Sequence, residues 1–265
     1  MAKAKVNDID IYYEVHGQGE PLLLISGLGA NIGCWYAQIA DFSKGYRTII
    51  FDNRGAGYTD KPNLPYSIRM FVDDAIGLLD KLGIPKAHIL GASMGGMIAQ
   101  EMSLNYPERV KSLTLCCTHC GGEKKVESPR DVYQAIIDNA GLTQEEIVRK
   151  NLPFLFTENF IKNHPRDIEK FVAIVLDYPR QPLKAFNCQV EAILAHDTFE
   201  NLSRIKTPTL ILAARKDVLL PPRNSEILAG KIPSSKLIIF KNGGHLFNVE
   251  IADKFNRAVL EFLKK

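Results

Sequence analysis

Residues 87–104 read AHILGASMGGMIAQEMSL, and the reading of this one stretch decides the fold. Its centre, Gly91-Ala92-Ser93-Met94-Gly95, is a G-x-S-x-G sequence. The apolar Ile89-Leu90 leading in has the character of a buried strand, and Met97-Ile98-Ala99-Gln100-Glu101-Met102 leads out as a helix. A sharp strand-to-helix turn lifts a serine hydroxyl clear of the backbone, which attack on a carbonyl carbon requires. It also leaves the Met94 N–H unpaired at the helix N-terminus, ready for an oxyanion. Gly91 and Gly95 belong beside Ser93 because a Cβ at either position would strike the neighbouring strand or helix. The alternative is an ordinary glycine-rich turn; the flanking strand and helix favour the nucleophile.

Outward from this turn, strand and helix signals alternate, the pattern of a mostly parallel sheet covered on both faces. Strands are expected at Ile9–Val15, Pro21–Ile25, Arg47–Phe51, 112–117, Thr209–Ala213 and Lys236–Phe240. Helices are expected at Trp35–Phe42, Ile68–Leu82, Pro222–Ile232 and Ile251–Leu263. From about Lys124 to Leu194 the strand signal vanishes. Helical patterns take its place at Pro129–Asn139, Thr143–Asn151, Glu158–Asn163, Pro165–Leu176 and Leu183–Leu194. The expected organisation is an α/β core of residues 1–122 and 196–265, with a helical lid inserted at 123–195.

A nucleophilic serine needs a base, and the base needs an orienting carboxylate. On such a sheet they follow in the order Ser, Asp or Glu, His, each on a loop after a strand. The strand ending at Ala213 runs into Ala214-Arg215-Lys216-Asp217, and the strand ending at Phe240 runs into Lys241-Asn242-Gly243-Gly244-His245. Asp217 and His245 are therefore the expected partners. His119, after the 112–117 strand, is the nearest rival base, and Asp197 and Glu250 are the rival carboxylates. The second oxyanion donor is expected from Ser26-Gly27-Leu28-Gly29, as the N–H of Leu28. Substrate pocket candidates are Gly27, Trp35, Phe154, Phe156, Phe186, Leu219 and Leu246. A dinucleotide fingerprint from Gly27, Gly29, Gly33 and Asp52 fails, because the third glycine falls one residue late and Ser93 is left unexplained. In Asp52-Asn53-Arg54-Gly55-Ala56-Gly57, the charged pair is expected to hold a tight turn.

Composition narrows the classes further. The 265 residues carry a net charge of +3 with scattered basic residues, which gives no footprint for nucleic acid. No apolar run is long enough for a bilayer or a signal peptide, so no membrane association and a cytoplasmic location are expected. Five cysteines, at 34, 116, 117, 120 and 188, do not form a secreted disulfide framework. Cys117 and Cys120 make a C-x-x-C, but zinc would need a second ligand pair. A redox role would need the pair to open a helix. No metal and no cofactor are expected. Partners are a small-molecule ester, lactone or thioester, and the chain is expected as a monomer or homodimer.

Taken together, these motifs resemble the α/β-hydrolase superfamily, and most of all its branch of small carboxylesterases and 3-oxoadipate enol-lactonase-like enzymes. The resemblance runs through Leu24-Ile25-Ser26-Gly27-Leu28-Gly29, Trp35, Asp52-x-Arg54-Gly55-x-Gly57, Gly91–Gly96, Tyr106-Pro107-Glu108-Arg109-Val110, Asp217 and Gly243-Gly244-His245. It implies an eight-stranded sheet, a helical cap over the site, and a carboxylesterase working through an acyl-enzyme on Ser93. Relatives with Asp in place of this serine are dehalogenases and epoxide hydrolases, which Ser93 argues against. Ser26-Gly27 replaces the usual His-Gly, and Gly91-Ala92-Ser93 replaces the frequent Gly-His-Ser, which opens the subfamily to a lactonase or thioesterase. The non-enzymatic alternative is a ligand-sensing hydrolase homologue.

Overall fold

A computed structural model describes residues 2–264. Eight strands form one sheet: β1 (Ala2–Val6), β2 (Ile9–His16), β3 (Glu20–Ile25), β4 (Tyr46–Phe51), β5 (Ala87–Ala92), β6 (Val110–Cys116), β7 (Thr209–Ala214) and β8 (Ser235–Phe240). Their spatial order is β1-β2-β4-β3-β5-β6-β7-β8. The first two pairings are antiparallel and all others parallel, as the alternation predicts. β3, β5 and β7 are apolar and buried along nearly their whole length, because helices cover both faces of the sheet.

The helices are α1 (Tyr36–Phe42), α2 (Ile68–Lys81), α3 (Met94–Asn105), α4 (Arg130–Ile137), α5 (Gln144–Leu155), α6 (Glu158–Asn163), α7 (Pro165–Leu176), α8 (Leu183–Leu194), α9 (Arg223–Lys231), α10 (Phe247–Glu250) and α11 (Ala252–Leu263). On one face of the sheet Phe71, Leu78 and Leu79 of α2 and Ile98 of α3 pack against Leu23, Ile49 and Ile89. On the other, Trp35, Phe42, Phe255 and Val259 pack against Leu22, Leu24 and Leu90. Each such fully buried side chain contributes about 1.5–3 kcal/mol of transfer free energy. Among the described residues no helix is long and apolar enough to cross a membrane.

Helices α4–α8 lie between β6 and β7 in sequence and build a small core of their own from Leu152, Phe156, Phe160, Ile168, Phe171 and Val172. The two ends of this excursion meet where Gly121 bridges Asp197. Gly121 has φ +75, and a Cβ there would lie 1.8 Å from the His196 carbonyl oxygen, so the junction admits only glycine.

Two departures from expectation stand out. The helix expected to stop at Asn151 runs to Leu155. A reciprocal Thr143–Glu146 capping box starts it, and Pro153 falls in its last turn, where the helix ends two residues later. Ahead of the closing helix stands a separate turn, α10, broken from α11 at Ile251 (φ −129, ψ 45).

Candidate active site

The turn between β5 and α3 places Ser93 at φ 57, ψ −122, a conformation worth about 1–3 kcal/mol of strain in a non-glycine residue. Hydrogen bonds to its main chain hold it there. The Ser93 N–H donates to the Cys116 carbonyl at 2.9 Å. The Ser93 carbonyl accepts from Gly96 N–H at 2.9 Å and from the Thr118 hydroxyl at 2.8 Å. A Cβ on Gly91 would sit 2.1 Å from the Gly95 carbonyl oxygen, and one on Gly95 would sit 2.0 Å from that of Ile25. The elbow is thus folded tightly between β3 and its own helix, as the glycine pattern implies.

The loop after β3 closes over the serine from the other side. A Cβ on Gly27 would meet the Ser93 Cβ at 3.0 Å, so glycine sets the distance of approach. The Leu28 N–H has no protein acceptor among the described residues, and Met94 occupies the first helical position of α3, whose N–H is an orphan. Gly29 N–H donates to Oε1 of Gln189 at 3.0 Å, and Nε2 of the same fully buried Gln189 donates to the Arg54 carbonyl at 2.9 Å. Helix α8 therefore braces this loop through one residue that sequence reasoning missed. Its partners lie far away in sequence and no local pattern marks it.

Asp217 and His245 come together on the loops after β7 and β8, and His245 lines the same cavity as Ser93. His245 Nδ1 lies 2.9 Å from Asp217 Oδ2. The other carboxylate oxygen accepts the N–H groups of Leu219 (2.9 Å) and Leu220 (2.8 Å). Facing an ionised carboxylate, which only accepts, a neutral imidazole carries its proton on Nδ1 and keeps the lone pair on Nε2. Both residues are buried. Gly243, at φ +109, turns the chain toward the site. Glu250 accepts from Gly244 N–H at 3.0 Å and from Thr157 N–H and its hydroxyl, tying the histidine loop to the helices above. It is a brace rather than a rival carboxylate. Asp197 accepts from Phe199 N–H and does not bond His245.

Ser93, His245, Gly27 and Leu28 line one cavity of about 320 Å³, within the range of small-molecule sites. Of the expected pocket residues, Trp35, Phe186, Leu219 and Leu246 also line it. Phe154 and Phe156 do not. Helix α5 shows the cavity Gln144, Ile147, Val148, Asn151 and Leu155; Phe154, seven residues after Ile147, lies at the edge of that stripe and outside the lining. Phe156, past the helix end, packs instead on Phe160 and Phe171 with ring centroids 5.5 and 5.1 Å away. His119 lines the cavity too, but its Nδ1 accepts from Gly121 N–H and no carboxylate orients it.

Asp52 and Arg54 do not pair with each other. Asp52 accepts from Ile32 and Tyr58 N–H, both at 2.8 Å, and burial pushes its carboxyl up to about 6. Arg54 pairs with the buried Asp74 of α2 at 2.6 Å and with Asp8 at 3.0 Å. Asp52 thus holds the turn as expected, whereas Arg54 ties it to α2 and to the β1–β2 turn.

All five cysteines are free. Cys117 forms a compact group with Asp217 and His245, whose donor atoms lie within 4.8 Å of one another. The group fits a metal ion poorly. Burial holds the Cys117 thiol well above its usual pKa and hence protonated, while Asp217 and His245 are already bonded to each other.

The model of the family described as the alpha/beta hydrolase fold matches residues 20–250. A protein of Azorhizobium caulinodans, provisionally named carbamate hydrolase RutD, is 32% identical over 262 residues, spanning 99% of this chain and 98% of its own. The 3-oxoadipate enol-lactonase 2 of Acinetobacter baylyi is 31% identical, covering 97% of this chain and 94% of its own. The crystal structure of the enol-lactonase from Burkholderia xenovorans LB400 superposes with a TM-score of 0.88 at 26% identity, each chain fully covered.

Proposed function

The chain belongs to the alpha/beta hydrolase fold family, and we propose on that basis that it is a serine hydrolase of small to medium carboxylic esters. The observation that carries the reading is the hydrogen-bonded Asp217–His245 pair opening onto the same cavity as the strained Ser93. In this mechanism Ser93 Oγ attacks the acyl carbon while His245 Nε2 takes its proton. Asp217 keeps the proton of Nδ1 in place and stabilises the imidazolium that forms. The N–H groups of Leu28 and Met94 receive the oxyanion, the latter aided by the positive end of the α3 dipole. His245 then protonates the leaving alcohol, and the same imidazole activates the water that releases the acid.

Residues 123–195 act as the cap over the acyl pocket, with Phe171 and Phe186 on its inner wall. No step needs a cofactor. The similarity to two enol-lactonases supports a second reading in which the ester is intramolecular, a lactone. One relative is named for carbamates, and a carbamate carbonyl is open to the same attack by a serine hydroxyl, so a carbamate belongs in the substrate panel with lactones and thioesters. The test is turnover of p-nitrophenyl butyrate by the purified protein and by Ser93→Ala. The expected result is loss of at least about three orders of magnitude in kcat. Unchanged turnover in the variant overturns the proposal, and so does tight binding with a stalled acyl-enzyme, which would mark a ligand sensor.

A further inference from the structure

One wall of the cavity carries a hydrogen-bond donor that the proposed chemistry does not use. His119 stands three residues past the end of β6, and is only 5% exposed. Its ring is fixed in place. Nδ1 accepts from Gly121 N–H at 3.0 Å, and its main-chain carbonyl accepts from Nε2 of the fully buried Gln100 at 3.1 Å. Gln100 is held in turn by the Thr198 hydroxyl at 2.8 Å. An imidazole that accepts at Nδ1 while neutral carries its proton on Nε2. That Nε2–H has no protein partner among the described residues, yet the residue lines the cavity that Ser93 opens into.

The surroundings define what the donor accepts. Burial pulls the imidazole down to about 4, so it is neutral at physiological pH. The nearby cation, Lys125, is engaged by Glu127 at 3.0 Å. Behind the ring stands His196, centroid 6.5 Å away, with neither ring nitrogen bonded. Met97, Val190, Ile193 and Leu194 supply apolar cavity wall. A neutral donor suits an uncharged oxygen better than a carboxylate, whose burial needs a counter-charge: Lys125 is engaged by Glu127, and Arg180, the other cation of the lining, is directed to the Leu142 carbonyl.

We propose that His119 is a specificity-determining residue whose Nε2–H binds an uncharged acceptor oxygen, a ketone, amide or ether, on the part of the substrate remote from the scissile ester. The inference rests on the serine-hydrolase reading above and names its substrate class: oxo-substituted acyl esters or lactones in preference to plain alkyl or anionic ones. A substrate lacking the oxygen leaves the N–H unmatched in a dry wall, which is worth about tenfold or more in kcat/KM.

The test compares p-nitrophenyl esters of pentanoate, of its 3-oxo and 4-oxo derivatives, and of succinate with its free carboxylate. The native protein should favour at least one oxo ester over pentanoate by about tenfold or more, and the succinate ester least. In His119→Leu the oxo preference should collapse toward unity. His119→Gln, whose amide can reach the same position as a donor, should restore part of it. Fluorophosphonate labelling of Ser93 reports that each variant is folded. Should the leucine variant fail to label, the native substrate series and the glutamine variant decide. An unchanged oxo-to-alkyl ratio in the leucine variant, no oxo preference in the native protein, or a preferred succinate ester each overturns the inference. If instead no ester is turned over at all, it is the serine-hydrolase reading that has failed.

Discussion

Replacing Asp217 by Asn tests the site where its geometry is most demanding. The carboxylate accepts three N–H groups: Leu219 and Leu220 on one oxygen and His245 Nδ1 on the other. An amide has only one acceptor atom. With its oxygen toward His245, its NH2 group would face the two backbone donors, leaving both unmatched at about 1–3 kcal/mol each. With its oxygen toward the backbone, nothing in the loop is lost, and the NH2 donates to Nδ1. The second arrangement therefore wins. It forces the imidazole proton onto Nε2, where no lone pair remains for the serine. The expected outcome is a folded protein whose stability falls by about 1–2 kcal/mol through loss of charge-assisted bonds. Its kcat should fall about ten-thousandfold, as when an analogous triad loses its carboxylate charge. Release of p-nitrophenolate gives kcat and KM, and a urea midpoint gives stability. A kcat within about tenfold of the native value, in a folded variant, refutes the assignment of His245 and Asp217.

Other substitutions probe the scaffold. Asp74→Ala leaves the guanidinium of Arg54, itself 2% exposed, with only the half-exposed Asp8, so unfolding stability should drop by about 3–5 kcal/mol. Restoration of most of that loss by adding Arg54→Met would confirm the cause. Gln189→Leu removes the bond that braces the Gly29 N–H and the bond to the Arg54 carbonyl that anchors the brace, so kcat should fall about tenfold or more with little change in KM. Lost stability with intact kcat would show that the brace serves folding alone. Burial holds His119 at about 4 and His196 at about 3, both below the usual histidine value, so the unfolded chain binds protons that the folded chain refuses. Their stabilisation is full above pH 6.5 and is lost as pH falls, by about 1.4 kcal/mol each at pH 5.5. Asp52, raised to about 6, works in the opposite sense and returns somewhat less than about 1 kcal/mol over that range. Urea midpoints should thus fall between pH 7.5 and 5.5, and by less in His196→Leu; an equal fall in that variant removes His196 from the account.

What the sequence made legible was local or periodic. The serine turn announces itself within five residues, and the buried strands announce themselves as apolar runs between turn residues. Asp217 and His245 could be named because the chain order of strands fixes which loops share an edge of the sheet. The brace by Gln189 was hidden, since it joins positions 160 apart in sequence and a buried glutamine leaves no pattern. Glu250 was legible only as a helix-end carboxylate; its bonds to Gly244 and Thr157 depend on how the helices settle over the sheet. Phe154 and Phe156 were misplaced for a related reason. An aromatic beside a helix end belongs to the cavity or to the packing behind it according to a rotation that only tertiary contacts fix.

The strand order also explains why the strain sits where it does. Ser93, Cys117, Asp217 and His245 follow β5, β6, β7 and β8, four consecutive neighbours in the sheet. Adjacent strands stand about 4.8 Å apart, so the serine and histidine strands are separated by roughly 14 Å. For the imidazole to serve the hydroxyl, the loop after β8 must fold back across the edge, and the loops between must stay low. The turn after β6 does so through a small residue in the left-handed region, Cys117 at φ +38, followed by Thr118, which bonds back to Ser93. The turn after β7 does so by wrapping its own N–H groups onto Asp217. Apart from Asn7 in the β1–β2 turn, the non-glycine residues with positive φ are Ser93 and Cys117 among those described, and both lie on this edge. In the proposed chemistry that strain turns Ser93 toward the cavity it shares with His245, and the buried sheet beneath is regular enough to hold it.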